Sequence, residues 1–246
     1  MGVADFFAGA LGGIFGLLLA PFIFLYSFAR GARAFHPDGI VYRAEVTPRA
    51  AAEDPTVGRA AERLAGPALV RLSAARRPLV DEGQDVLGLG IRFGAAGDQD
   101  LLLGSFTGFG LRQLERALKT TDSRDFLDNE YHSVEPFLLF GVGRVTIEAR
   151  GEAASGSAGA TREERLARAA EEGRAVLLLS IRRERGDANP EPLVELRLTG
   201  PSSVPSSALR FSPFHDGGGL RPVGLLAGIR WAVYPASQLG RRLRGR

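Results

Sequence analysis

Cysteine is absent from all 246 residues, which excludes disulfides, thiolate ligation and cysteine nucleophiles and leaves the redox compartment open. Lysine is nearly absent as well. Lys119 is the sole lysine among 31 basic residues, an arginine bias of the kind a GC-rich genome produces. With 28 acidic residues interspersed and a formal charge of only +3, the chain has no concentrated basic surface, so nucleic acid is not an expected partner. The histidines are His36, His132 and His215, too dispersed for a zinc motif. The length suffices for one substantial soluble core.

Charge is also missing from residues 6 to 29, a run rich in Phe, Leu, Ile and Ala and as long as one helix needs to cross a bilayer. A secretory signal would open on Lys or Arg and carry a shorter apolar core, whereas the early charge here is Asp5. The run is therefore expected to be a single transmembrane helix, with residues 1–32 as membrane anchor and 33–246 as the folded domain. Arg30, Arg33 and Arg43 follow the run, and the positive-inside rule then puts the domain in the cytoplasm. Gly9 with Gly13 and Gly12 with Gly16 form small-xxx-small pairs that let helices approach closely, so a homo-oligomer is open. The alternative for the run is a buried, Gly-rich hairpin broken at Pro21.

Beyond the run, alternation and turn residues predict strands at 40–47, 67–73, 85–93, 100–106, 142–149, 174–183 and 193–199. Short helices are expected within 50–65 and over 111–119, and a longer one over 220–244, with Leu225, Ile229 and Ala232 toward the domain. Residues 151–160 are Gly, Ala and Ser almost throughout and read as a loop. Pro235 is a potential kink in the last helix.

Two groups of residues carry chemistry. In the last helix Arg230 precedes Tyr234 by four, which sets guanidinium and phenol side by side. A permanent positive charge favours an ionised phenol, a hard anionic ligand for ferric iron. Earlier, Arg33-Ala34-Phe35-His36-Pro37-Asp38-Gly39 leads into a strand ending in Val46-Thr47. Taken alone, a histidine beside such a turn is an ordinary turn residue. Arg71 lies in an otherwise apolar strand, Val70-Arg71-Leu72-Ser73, and its burial needs an anion unless the strand is an edge.

In order and spacing these pieces resemble haem catalases. The arginine three before the histidine, the Val-Thr strand end, the Val-Arg-x-Ser strand, Asp85-x-x-Gly88, Asp100-Leu101-Leu102-Leu103-Gly104, the Tyr131 to Gly141 stretch, Phe211-x-Pro213-x-His215 and the Arg230/Tyr234 pair all recur in that family. The chain from Arg33 to Arg242 is similar to a minimal catalase core, as in small catalase-related peroxidases. The resemblance implies an α+β fold, an eight-stranded antiparallel barrel with flanking helices, holding haem b.

It further implies Tyr234 as the iron ligand with Arg230 beside it, His36 as distal acid/base, Ser73 as the partner of His36, Arg33 and Arg71 as propionate partners and Phe35 against the distal haem face. One departure stands out: the family's distal asparagine is replaced by Gly104 and Ser105, and a serine hydroxyl is a shorter donor. The expected activity is accordingly a peroxidase acting on hydrogen peroxide or organic or lipid hydroperoxides with a separate reductant. The alternative is a catalytically weak barrel that serves as a haem or hydrophobic-ligand binding subunit of a membrane complex.

Overall fold

A computed structural model describes residues 2–30, 36, 38–49, 54–94, 98–108, 110–152, 158–184, 189–212 and 214–243. In chain order the elements are α1 (Val3–Arg30), β1 (Gly39–Pro48), α2 (Pro55–Leu64), β2 (Gly66–Ala74), β3 (Leu87–Phe93), β4 (Gln99–Gly104), α3 (Leu111–Thr120), β5 (Glu130–His132), β6 (Phe137–Leu139), β7 (Gly143–Gly151), α4 (Arg162–Glu171), β8 (Val176–Arg183), β9 (Glu191–Pro201), β10 (Leu220–Pro222) and α5 (Leu225–Leu243).

The strands close on themselves. Antiparallel pairing runs β1–β2–β3–β4–β5–β7–β8–β9 and back to β1, an eight-stranded antiparallel barrel with no open edge in the ring. β6 continues along β7 beyond β5, and β10 pairs on the far side of β6. Alternation decides what fills the barrel. Val70, Leu72, Leu89, Ile91, Leu101, Tyr131, Ile147, Leu179 and Val194 point inward and are almost wholly buried, so the interior is a packed apolar core.

Local chemistry fixes the helix starts. Asp54 caps α2 by accepting from Thr56 N at 2.8 Å, with Pro55 as the first helical residue. α4 was not anticipated, although its start is written in the chain. Thr161 accepts from Glu164 N at 3.2 Å, and Glu164 reaches back to Ala160 N at 2.8 Å, an arrangement akin to a capping box. From α4 the fully buried Arg162 bonds the Leu79 carbonyl at 3.0 Å, pinning the β2–β3 connection.

α1 is one continuous helix through Pro21, which removes the hairpin alternative. Residues 3–25 are long and apolar enough to cross a membrane, and few of them are buried. The last helix begins at Leu225, later than expected, because 220–222 pair as a strand. Its contacts also differ from expectation. α5 runs parallel to α1 and lies against it, with Leu225 and Ile229 set on the glycine face of α1. A Cβ on Gly12 would stand 2.0 Å from the Leu225 carbonyl oxygen and one on Gly16 2.5 Å from that of Ile229, while one on Gly228 would stand 2.0 Å from the Gly9 oxygen. The small-xxx-small face is thus used within the chain, and anchor and domain are packed together by this helix pair.

Candidate functional site

The site starts from glycines on the outside of the barrel. Across the antiparallel ladders Gly39, Ser73, Gly88, Gly104 and His132 are successive partners, so they share one face, opposite the buried Leu72, Leu87, Leu103 and Tyr131. Where this row lacks side chains, others lie over it. A Cβ on Gly88 would come within 2.6 Å of the His36 ring, one on Gly104 within 2.2 Å of the Phe106 ring, one on Gly90 within 3.0 Å of Phe211, and one on Gly39 within 2.7 Å of the Arg71 guanidinium.

His36 is held unusually firmly. Its φ of +54° is positive, a region that costs a non-glycine residue about 1–2 kcal/mol. Three bonds hold it there: its N–H donates to Ala75 O at 3.2 Å, its carbonyl accepts from Arg71 Nη2 at 2.9 Å, and Nδ1 lies 3.2 Å from Ser73 Oγ. Ser73 Oγ also donates to Gly88 O at 3.3 Å. A hydroxyl has one proton. With that proton on the Gly88 carbonyl, Ser73 accepts from Nδ1–H, which makes Nε2 the basic nitrogen of His36.

Arg71 is buried on the outer face of β2, and its Nε donates to Ser206 Oγ at 2.7 Å. Together with the His36 carbonyl, Ser206 is a neutral acceptor of this guanidinium among the described residues. Ser105 is engaged elsewhere. Its Oγ accepts from Leu87 N at 2.9 Å and lies 2.8 Å from Thr121 Oγ1, so its hydroxyl ties β3 to the end of α3 and is not presented as a replacement for the absent asparagine. Arg33 and Phe35 lie outside the described residues.

The second group forms on α5. The Arg230 guanidinium lies 5.7 Å from the Tyr234 ring centroid and donates to Glu135 Oε1, a carboxylate that is 1% exposed in the corner between β5 and β6. Burial raises the Glu135 pKa, opposed by the charge and hydrogen bond of Arg230. Its other oxygen, Oε2, is buried and has no hydrogen-bond partner among the described residues. The arginine therefore lies within cation–π distance of the phenol ring while one of its N–H groups donates to Glu135. Glu135 itself went unnoticed in the sequence; the signal was an acidic residue set against Pro136 among apolar neighbours.

The strands relate the two groups along the sheet. From Gly88 through Gly104 to His132 is two strand spacings, roughly 10 Å, and Glu135 follows three residues later. Beyond α5, a groove of about 650 Å³ lies between the helices, lined by Ala10, Ile14, Leu17, Ala227 and Trp231, with Asp216 and Arg221 contributing polar groups.

The fold and site define a closed antiparallel barrel that carries a histidine–serine pair outside and an apolar helix pair against its flank. No protein-family model matches the chain, and no curated protein matches it in sequence.

Proposed function

We propose that this protein is a haem-dependent peroxidase, reducing hydrogen peroxide or organic or lipid hydroperoxides at the barrel's outer face with electrons from a separate reductant. The observation that carries the reading is the His36–Ser73 pair, 3.2 Å apart over the side-chain-free Gly88. A histidine locked by its backbone and oriented through Nδ1 is what an acid/base residue needs. The donor chemistry also suits haem b. The glycine row lets His36, Phe106 and Phe211 lie close against the strands, where the two phenyl rings give apolar surface beside the histidine, and Tyr234 beside Arg230 supplies a hard oxygen donor.

Haem, when bound, would supply the redox chemistry, and Tyr234 would be the residue that holds its iron. The remaining work falls to this chain. His36 Nε2 would accept a proton from one peroxide oxygen and return it to the other, so that the oxygen receiving it could leave as water or alcohol. Ser73 keeps Nδ1 protonated through that cycle, and Arg71 fixes the His36 carbonyl. Arg230 is anchored by Glu135 and keeps positive charge over the Tyr234 ring. Membrane attachment through α1 belongs to the same reading.

A hydrophobic-ligand binding role is the second reading, favoured by the apolar groove between α1 and α5. The visible spectrum decides between them. Purified with haem supplied, the wild type should show a Soret band and a tyrosinate-ferric pattern that is lost in Tyr234→Phe. Peroxide turnover should fall in His36→Ala with haem retained. Absence of any Soret band sinks the haem reading, and turnover surviving His36→Ala removes the acid/base assignment.

A further inference from the structure

We infer that α1 does not cross the bilayer but lies along it, so that the protein is monotopic: α1 and α5 form an apolar raft that rests in one leaflet with the barrel above it. The inference is independent of haem. It rests on how α1 is fastened at both ends. Near its start, the Asp5 carboxylate is buried and paired with Arg144 on the outer face of β7. Near its end, five residues separate Arg30 from His36, and the His36 N–H is bonded to Ala75 just after β2.

Covalent length then limits the geometry. The six Cα–Cα steps from Arg30 to His36 reach at most ~21 Å, whereas Asp5 to Arg30 spans ~37 Å of helix. A helix standing straight out from Arg144 would carry Arg30 far beyond that reach, so α1 must run alongside the barrel. Crossing is excluded by the same contacts. A hydrocarbon core of ~30 Å would have to separate Asp5 from the domain that binds it.

The face that remains exposed says what covers it. Phe7, Leu11, Ile14, Leu18, Phe22 and Leu25 recur at three- and four-residue intervals along α1, and all are at least half exposed. On α5, Trp231 lines the groove beside Ile14 and Leu17 and is 61% exposed, an amphipathic ring suited to the interface. The exposed Arg242 follows Leu239 by one turn, placed for lipid phosphate. A second copy of this chain fits less well. Gly12 and Gly16, which would permit close helix pairing, are already filled by α5, and what is left is a broad, bulky apolar surface that also includes Phe6, Phe15, Leu17 and Leu19. The occupant is therefore the acyl region of a phospholipid leaflet.

The chain contains no native cysteine, so topology can be read with single-cysteine variants of the full protein in sealed membrane vesicles. Gly2→Cys next to Asp5 and Lys119→Cys on α3 should react with a membrane-impermeant maleimide from the same side. Leu18→Cys should stay protected until detergent is added. The protein should remain in the pellet at high salt, and Phe15→Asp/Leu18→Asp should shift at least tenfold more of it to the supernatant. Labelling of Gly2→Cys and Lys119→Cys from opposite sides shows a crossing helix and overturns the inference. So does a wild type that stays soluble without lipid, whether as monomer or as a dimer in which Leu18→Cys is protected.

Discussion

Replacing Arg230 by methionine tests the buried pair on which the α5 half of the site depends. In the wild type the Glu135 carboxylate is 1% exposed and the Arg230 side chain 21%. Breaking a buried pair by removing one partner costs about 3–5 kcal/mol, because the remaining charge is stranded; the partial exposure of Arg230 argues for about 3 kcal/mol. The sign of the pH dependence follows from the remaining carboxylate. Burial already raises the Glu135 pKa above its ordinary value, and the variant removes the two effects of Arg230 that oppose the rise. A raised carboxylate destabilises the fold where it is ionised, above its unfolded pKa, and the penalty is relieved as pH falls through the folded value. Arg230→Met should therefore lose most stability at neutral pH and recover relative to wild type as the solution is acidified. Urea denaturation followed by circular dichroism at several pH values measures this directly. The double variant Arg230→Met/Glu135→Gln should return to within about 1 kcal/mol of wild type, since no charge is then stranded. A single-variant loss below about 1 kcal/mol at pH 7, or a loss independent of pH, would refute the reasoning.

Three further outcomes are expected. Gly12→Ala should separate α1 from α5, since its Cβ would meet the Leu225 carbonyl at 2.0 Å, and cost about 1–3 kcal/mol; Gly13→Ala, whose Cβ meets nothing within 4 Å, should be neutral or stabilising by up to about 1 kcal/mol. Limited proteolysis of α5 reads the difference, and equal behaviour of the two variants would show that the helices are not packed this way. With haem bound, Ser73→Ala should keep the Soret band yet slow peroxide turnover roughly 10–100-fold and shift its acidic pH limb, as loss of an orienting hydrogen bond does; an unchanged rate and profile would remove Ser73 from the site. Asp54 is held down to about 2, first by the Arg183 guanidinium and then by the Thr56 N–H. Its contribution is complete above the ordinary carboxylate value near ~4 and is lost as pH falls toward that depressed value. Carboxyl-carbon NMR should find that low midpoint and see it rise in Arg183→Met; a midpoint unmoved by the substitution would contradict the pairing.

Much of the barrel was legible because each strand carries its own alternation: residues such as Val70, Leu72, Leu89 and Ile91 mark one face without reference to any neighbour. α4 was not expected, although Thr161 and Glu164 announce it; the loop expectation covered 151–160 alone and no element was assigned to 161–173. At the site, Ser73 could be paired with His36 through the resemblance to catalases, and the structure places the two in contact. Ser105 could not be judged in the same way. Its engagement with Leu87 and Thr121 depends on where α3 ends relative to β3, which no local pattern encodes.

By itself the sequence determined the period-2 strands, the helix caps, the uncharged stretch of α1 and the i, i+4 placement of Arg230 and Tyr234, all of which follow from residues close together in the chain. Only the tertiary structure decided what those pieces meet. The closure of β7 on β8, the Glu135 partner of Arg230, the use of the α1 glycines by α5 and the tie between Asp5 and Arg144 join residues far apart in sequence. A stretch of apolar residues specifies that it must leave water; which surface receives it depends on how the two ends of its helix are held.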